Sequence, residues 1–459
     1  MKSRPNIILI MTDQQRFDAM SAHGNPICRT PNLDALAARS VDFTRAYCPM
    51  PLCSPSRATL MTGRTIVSHR VFSNNHVPLP EDEITFTELL ADSGYSCALS
   101  GKWHLGNELE AQRGFSRWVN HRGGWREHLE TKGIPYDHAN GGHRRFGIQS
   151  DLPAPALQGP SVVEEDDLMV ASVTRHARDM LSELRHEQPF FLKYSIYEPH
   201  PPIEVPEPYY SQLDPASVPL PANFEESYDG KPQFLREARG REFAAHLDEA
   251  GWRMMRAVYF QLVSLVDKQI GLFLSDLEAL DLLDDSLIVF TSDHGDMTGN
   301  HHLAYKGSHF YEELMRVPFL IHYPGQTAAR TYDGIAAMED IAPTILDAAG
   351  LSAPECMEGM SLLPVGAGQG IRRDAAFGMR YTDPEDPACG RMVVTGRWKY
   401  IWHPCDLDEL YDLKTDPGEQ HGLAESVDYS PAASNLRRRL KDWMESVNDP
   451  LAKELRAPQ

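Results

Sequence analysis

Five short apolar runs that do not alternate with polar residues constrain this chain more than any other feature: Asn6 to Thr12, Tyr95 to Ser100, Phe190 to Ile196, Leu287 to Thr291 and Pro318 to His322. A strand with one wet face alternates apolar and polar side chains, whereas a strand covered on both faces has no reason to. The runs therefore predict an α/β fold, a large mixed, mostly parallel sheet flanked by helices. One of those helices is expected near 247–280, where Met255, Val258, Leu262, Val266, Ile270, Phe273 and Leu277 follow one another at steps of three or four. The polar turn Leu283-Asp284-Asp285-Ser286 then leads straight into the run at Leu287.

The 459 residues allow a large core, and 42% hydrophobic with 24% charged residues is ordinary globular usage, which excludes fibrous and disordered classes. After about residue 370 the character changes. The stretches 391–403 (RMVVTGRWKYIWH) and 409–413 (ELYDL) read as short antiparallel strands and Asn435 to Val447 as an amphipathic helix. The expected organisation is a main α/β domain over 1–370 and a small C-terminal α+β subdomain over 371–459. The Pro-rich segment 198–225 and the Gly-, His- and charge-rich segment 110–165 are expected to be long loops over the sheet that build a binding pocket.

Forty-four Lys and Arg against 65 Asp and Glu leave a formal charge of −21, which disfavours nucleic acid or an anionic membrane as a partner. An anionic ligand must then be held by a local basic pocket. Seven cysteines without a CxxC pair argue against a disulfide scaffold. No run approaches the ~18 apolar residues of a membrane span. The first residues contain no signal-peptide cleavage site, so a cytoplasmic location is expected, periplasmic if a leader has been removed.

Four groups of residues carry chemistry. Asp13-Gln14 and Asp293-His294 each follow a strand; together they offer two carboxylates, an amide oxygen and an imidazole, a set suited to a divalent cation, while each pair alone reads as a strand-end cap or turn. In Cys53-Ser54-Pro55-Ser56-Arg57, Ser56 is the expected N-cap of the following helix. Arg57 would then sit in the first turn, at the positive end of the helix dipole, so its charge serves something other than the helix. Cys53 alone would be a small buried hydrophobe; beside a fixed guanidinium it suits an anion or a nucleophile. If Lys102 and His104 continue a strand, their i, i+2 spacing turns both to one face. With His200 and Lys306 they could bind a tetrahedral oxyanion and move protons, although each alone reads as a surface Lys or a structural His. Asn74, Asn75 and His76 could face a substrate or simply occupy a surface turn.

In these motifs the chain resembles the type I, formylglycine-dependent sulfatases of the alkaline phosphatase superfamily. CSPSR is similar to the C-x-P-S-R maturation motif of that family, and PNIILIMTDQQ, TPNLDALAARSVDFTRAY, GKWHLG, SDHG with its downstream His and Lys, the REFAAHL-to-SDHG segment and ELYDLKTDPGEQHGLA match family blocks in family order. The resemblance implies an alkaline phosphatase-like fold and a metal held by Asp13, Gln14, Cys53, Asp293 and His294. It also implies a maturation enzyme that oxidises Cys53 to formylglycine. One hydroxyl of the hydrated aldehyde attacks sulfur and the alcohol leaves; deprotonation of the other then expels sulfate. Arg57 and Lys102 would stabilise the diol, His104 would take its proton, and His200 and Lys306 would grip the sulfate and protonate the leaving oxygen.

Two positions depart from the common pattern. Gln14 stands where most relatives carry Asp, as in the phosphonate monoester hydrolase branch, but that branch usually lacks the GKWHLG block. His294 stands where many carry Asn, which leaves Ca2+ favoured and Mn2+ or Mg2+ credible. The implied substrate is a sugar, aryl or small alkyl sulfate monoester. The alternatives are a phosphonate monoester or phosphodiester hydrolase and, if Cys53 stays unmodified, a non-catalytic anion-binding protein. An oligomer is compatible with all three.

Overall fold

The computed structural model describes residues 4–75, 77–136, 158–187, 189–237, 245–371, 373–381, 383–424 and 426–456. His76, residues 137–157 of the first long loop and residues 241–244 of the REFAAHL block lie outside them.

The main sheet is built from β1 (Asn6–Asp13), β2 (Val41–Tyr47), β3 (Ser96–Gly101), β4 (Arg117–Asn120), β6 (Phe190–Pro199), β8 (Ser286–Ser292), β9 (Arg316–Val317), β10 (Phe319–His322) and β11 (Arg330–Ala337), while β5 (Gln158–Pro160) and β7 (Ile203–Val205) form a separate parallel pair. The order across the main sheet is β11-β2-β10-β8-β1-β6-β3-β4, with β9 pairing with β2. The run β8-β1-β6-β3-β4 is parallel throughout, and β10 inserts antiparallel between β8 and β2. Every residue of β1, β6 and β8 is buried, because both faces are covered. Ile7, Leu9 and Met11 of β1 point into one hydrophobic core, and Ile8 and Ile10 into the other.

Helix Glu249–Ala279 packs beside helix Met169–Leu184 on one face. It is long and apolar enough to cross a bilayer, although polar residues such as Arg256, Gln261 and Asp267 break its apolar sequence into short runs. Its most apolar stretch is 83% buried inside the protein, so that apolarity serves the core. The expected loop over 110–165 contains a helix, His121–Thr131, whose N-terminus is capped by the Asn120 side chain accepting the N–H groups of Arg122 and Gly123. The two long excursions meet each other, since β5 lies in the first and β7 in the second.

The C-terminal sheet is antiparallel in the order β12 (Ala375–Arg380), β13 (Gly390–Thr395), β14 (Trp398–Trp402) and β15 (Glu409–Asp412), and helix Ser430–Ser446 covers it. All seven cysteines are free.

Candidate metal centre and catalytic pocket

The parallel pairing of β1 with β8 places Thr12 opposite Ser292, so the chain leaves both strands side by side and delivers Asp13 and Asp293 to one point. The β1–β6 register shifts between Met11 and Asp13, and Gln14 has a left-handed φ of 71°. That conformation is held by Gln14 N–H donating to Asp293 Oδ1 at 3.0 Å and by the Tyr259 hydroxyl donating to Gln14 O at 2.9 Å.

Helix Cys53–Thr62 begins earlier than expected. Its N-cap is Leu52, not Ser56, whose hydroxyl donates instead to Met50 O at 2.8 Å. A proline at the third helical position is compatible with this start, because the first-turn N–H groups have no intrahelical acceptor. Cys53 thus opens the helix, where the dipole favours a thiolate, and the Ser54 N–H is met by Asn74 Oδ1 at 3.0 Å. Asn74 therefore supports the helix start. Arg57 lies one turn in, fully buried: Nε donates to Asp293 Oδ2 at 2.9 Å, Nη2 to Asp13 Oδ2 at 3.0 Å, and Nη1 to Lys102 O and Ser195 Oγ, both at 3.0 Å. Its charge serves both carboxylates and not the helix.

Lys102 and His104 do not lie on a strand extension. β3 ends at Gly101, whose φ of 116° and close approach to Ser195 O exclude a side chain, and His104 turns with φ 61°. The Glu108 carboxylate holds this turn by accepting the His104 N–H at 2.6 Å. The turn still brings both side chains inward: Lys102 Nζ donates to Asp13 Oδ2 at 2.6 Å, and His104 lies beside the Cys53 thiol, with its Nδ1 buried and unpartnered. His200 reaches the same thiol, and its Nδ1 lies 2.8 Å from Pro201 O, an acceptor that requires the proton on Nδ1. Lys306 Nζ is 3.1 Å from Cys53 Sγ, and His294 Nε2 is 3.4 Å from it. His294 Nδ1 donates to Gly295 O at 2.9 Å, so Nε2 presents a lone pair.

Burial raises the Cys53 thiol, but the ammonium groups of Lys102 and Lys306 outweigh it and hold it well below its usual range. Burial and the facing Asp13 carboxylate push Asp293 up to about 6. Burial pushes His200 down to about 4 and lowers His104, so both imidazoles are neutral.

Ligand atoms of Asp13, Cys53, Asp293 and His294 all lie within 4.8 Å of one another, and Gln14 Oε1 is buried without a hydrogen-bond donor. A buried cluster of carboxylates and an imidazole beside an unpartnered amide oxygen fits a divalent cation. Lys102, His104, His200 and Lys306 surround the same thiol. The histidine pair upstream of Lys306 goes elsewhere: His301 stacks on Tyr311 at a centroid distance of 3.7 Å and meets Asn223 at 2.9 Å.

Sequence reasoning missed Ser195, Tyr197, Glu108 and Asp296. Tyr197 lies under Lys102 Nζ at 5.0 Å and beside His200, and its place on β6 two residues from Ser195 was a usable signal. Asp296, which accepts from Gln14 Nε2 at 2.6 Å, sits in an irregular loop that no periodicity marks.

A doubly covered α/β sheet with a buried ligand set and a cationic pocket at its strand ends defines a metal-dependent hydrolase of the alkaline phosphatase superfamily. The Sulfatase family model matches residues 5–351, and the model described as N-sulphoglucosamine sulphohydrolase, C-terminal, matches residues 299–446. The chain belongs to the sulfatase family, hydrolases of sulfate esters. An arylsulfatase of Clostridium perfringens is 31% identical, covering 95% of this chain and 94% of its own. An N-acetylglucosamine-6-O-sulfatase of Bacteroides thetaiotaomicron is 29% identical over 98% of this chain and 88% of its own. The crystal structure of a phosphonate monoester hydrolase of Agrobacterium radiobacter superposes with a TM-score of 0.83 at 27% identity, over 97% of this chain and 96% of that one.

Proposed function

We propose that the protein hydrolyses a sulfate monoester on a saccharide or small aryl or alkyl alcohol, using formylglycine made from Cys53 and a divalent cation held by Asp13, Gln14, Asp293 and His294. The observation that carries this reading is Cys53 itself, the first residue of its helix, with Lys306, His104, His200 and the ligand set all facing its thiol. A soft sulfur is the odd member among hard ligands, and conversion to a hydrated aldehyde would replace it with oxygen. The aldehyde hydrate supplies one hydroxyl as nucleophile and a second through which sulfate is released, which serine would lack. The cation, Ca2+ being favoured over Mn2+ and Mg2+, supplies charge stabilisation for the sulfuryl oxygens.

The chain's own groups do the rest. Arg57 orients both carboxylates, and Lys102 fixes Asp13 from the other side. His104, a neutral imidazole against position 53, accepts a proton there. Lys306 carries ammonium protons into the pocket for the leaving oxygen, and His200 presents a neutral Nε2 toward position 53. Cys53 is fully buried, so the maturation enzyme, the one protein partner this reading requires, must act before the chain closes.

A second reading, phosphonate monoester hydrolysis with the same groups, is favoured by Gln14 and by the likeness to the Agrobacterium radiobacter enzyme. The deciding experiment weighs the Cys53 peptide, where oxidation to the aldehyde removes about 18 Da. It then measures turnover of a chromogenic aryl sulfate beside an aryl phosphonate ester. Sulfate cleavage that scales with aldehyde content supports the proposal; faster phosphonate cleavage replaces it with the second reading, and an unmodified thiol without turnover, in a host that matures sulfatases, rejects both.

A further inference from the structure

An amide can offer a cation only one of its two ends, so a glutamine ligand needs something to choose which end. Gln14 Nε2 donates to Asp296 Oδ2 at 2.6 Å, and Gln14 Oε1 is buried without a donor. Asp296 is fully buried, and its other oxygen, Oδ1, accepts the Thr298 N–H at 2.8 Å. Both carboxylate oxygens face N–H donors, so Asp296 acts only as an acceptor, and the end of the amide that meets it has to be NH2. The loop carrying Asp296 is pinned in turn by Arg16, whose Nη1 donates to Asp296 O at 3.1 Å, Met297 O at 2.9 Å and Thr298 Oγ1 at 2.6 Å.

We propose that Asp296 is a positioning residue that selects the amide orientation of Gln14, leaving Oε1 and not Nε2 free for the cation. The inference rests on the metal reading above and adds to it the device that makes a neutral, reversible amide a dependable ligand. It makes Asp296→Asn, nearly identical in shape, a damaging change. The oxygen of the introduced asparagine is claimed by the Thr298 N–H, so its NH2 group faces Gln14; Gln14 must then flip and point its own NH2 at the cation. Keeping Gln14 in place would instead set the NH2 of the introduced side chain against the Thr298 N–H. The reciprocal exchange Gln14→Glu with Asp296→Asn repairs this, because the new carboxylate at position 14 accepts from the new amide at position 296 with one oxygen and keeps the other free.

The test is the dissociation constant of Ca2+ and of Mn2+ on the full chain, measured by competition with a fluorescent chelator, a readout independent of turnover. Asp296→Asn should weaken binding by about 10- to 100-fold. Gln14→Met should do the same, the combination of the two should be no worse than Gln14→Met alone, and Gln14→Glu/Asp296→Asn should return to within a few-fold of wild type. Wild-type affinity in Asp296→Asn, or no recovery in the reciprocal double variant, overturns the proposal. If Asp296→Asn does not fold alone, the double variant decides, since binding as weak as that of Gln14→Met would overturn it. A wild-type chain that binds neither ion removes the metal reading itself, whereas ion binding without sulfate turnover removes only the proposed activity.

Discussion

Arg57 and Arg391 are both fully buried and both bond to carboxylates, yet they sit in opposite kinds of surroundings. Arg391 closes on one partner: Nε and Nη2 donate to the two oxygens of Asp449 at 2.5 and 3.0 Å, Nη1 meets the carbonyls of Arg380, Tyr381 and Gly390, and Asp449 Oδ1 also takes the Leu451 N–H. Every polar side-chain atom of that pair has a partner. Arg57 is shared between two carboxylates and takes only Oδ2 of each, while ligand atoms of Asp13, Cys53, Asp293 and His294 gather within 4.8 Å of one another and Gln14 Oε1 is buried without a partner. A buried ion pair that satisfies itself is architecture; one that leaves acceptors facing one another is a place for a cation.

The contrast can be broken at several points. The largest effect is expected from Cys53→Ala, which should lower aryl sulfate turnover by about 10^4-fold or more without lowering the melting temperature. Residual turnover near wild type would place the nucleophile elsewhere. Next, Arg391→Met should cost about 3–5 kcal/mol of unfolding free energy while the folded fraction keeps its kcat. Arg57→Met should lose cation affinity together with about 3–4 kcal/mol of transition-state stabilisation. If denaturant melts and steady-state kinetics give the two variants the same pattern, the distinction fails.

Chelation should remove turnover and lower stability reversibly, by about 2.7 kcal/mol if the ion had been free at 100 times its dissociation constant. A calorimetric scan unchanged by chelator would empty the site of its proposed occupant.

The smallest effect concerns His69, which ties the catalytic helix to the chain after it. Its Nδ1 accepts the Val71 N–H at 3.1 Å and its Nε2 lies 2.9 Å from Thr59 Oγ1, so the neutral ring is fully bonded and burial pushes its pKa down to about 3. The unfolded chain takes up a proton as pH falls below about 6.5 and the folded one does not. Stability contributed by the neutral ring is therefore present above pH ~6.5 and lost toward pH 3, about 2 kcal/mol of it by pH 5. His69→Gln, which can keep one donor and one acceptor, should flatten that slope in urea melts at several pH values; an unchanged slope would refute the assignment.

The apolar runs were sufficient for the central strands, since complete burial on two faces leaves its mark in any window of six residues. They were not sufficient for β2 or β11: the first is only partly buried and the second starts exposed, so neither forms an unbroken apolar run. The helix inside 110–165 was hidden because only its buried stripe, Trp125 and Leu129 among polar neighbours, is apolar. The start of the Cys53 helix was misplaced by a serine that looks like a cap but bonds backward to Met50.

By itself, then, the sequence determined which strands are doubly buried and which residue types stand at their ends, because hydrophobic period and strand termini are local properties of the chain. Only the tertiary structure decided that Asp13 and Asp293, 280 positions apart, share one arginine, that His104 turns inward through a left-handed residue, and that Asp296 chooses the end of the Gln14 amide. Those depend on strand register and on which donor meets which acceptor, and neither is encoded in the spacing of residues along the chain.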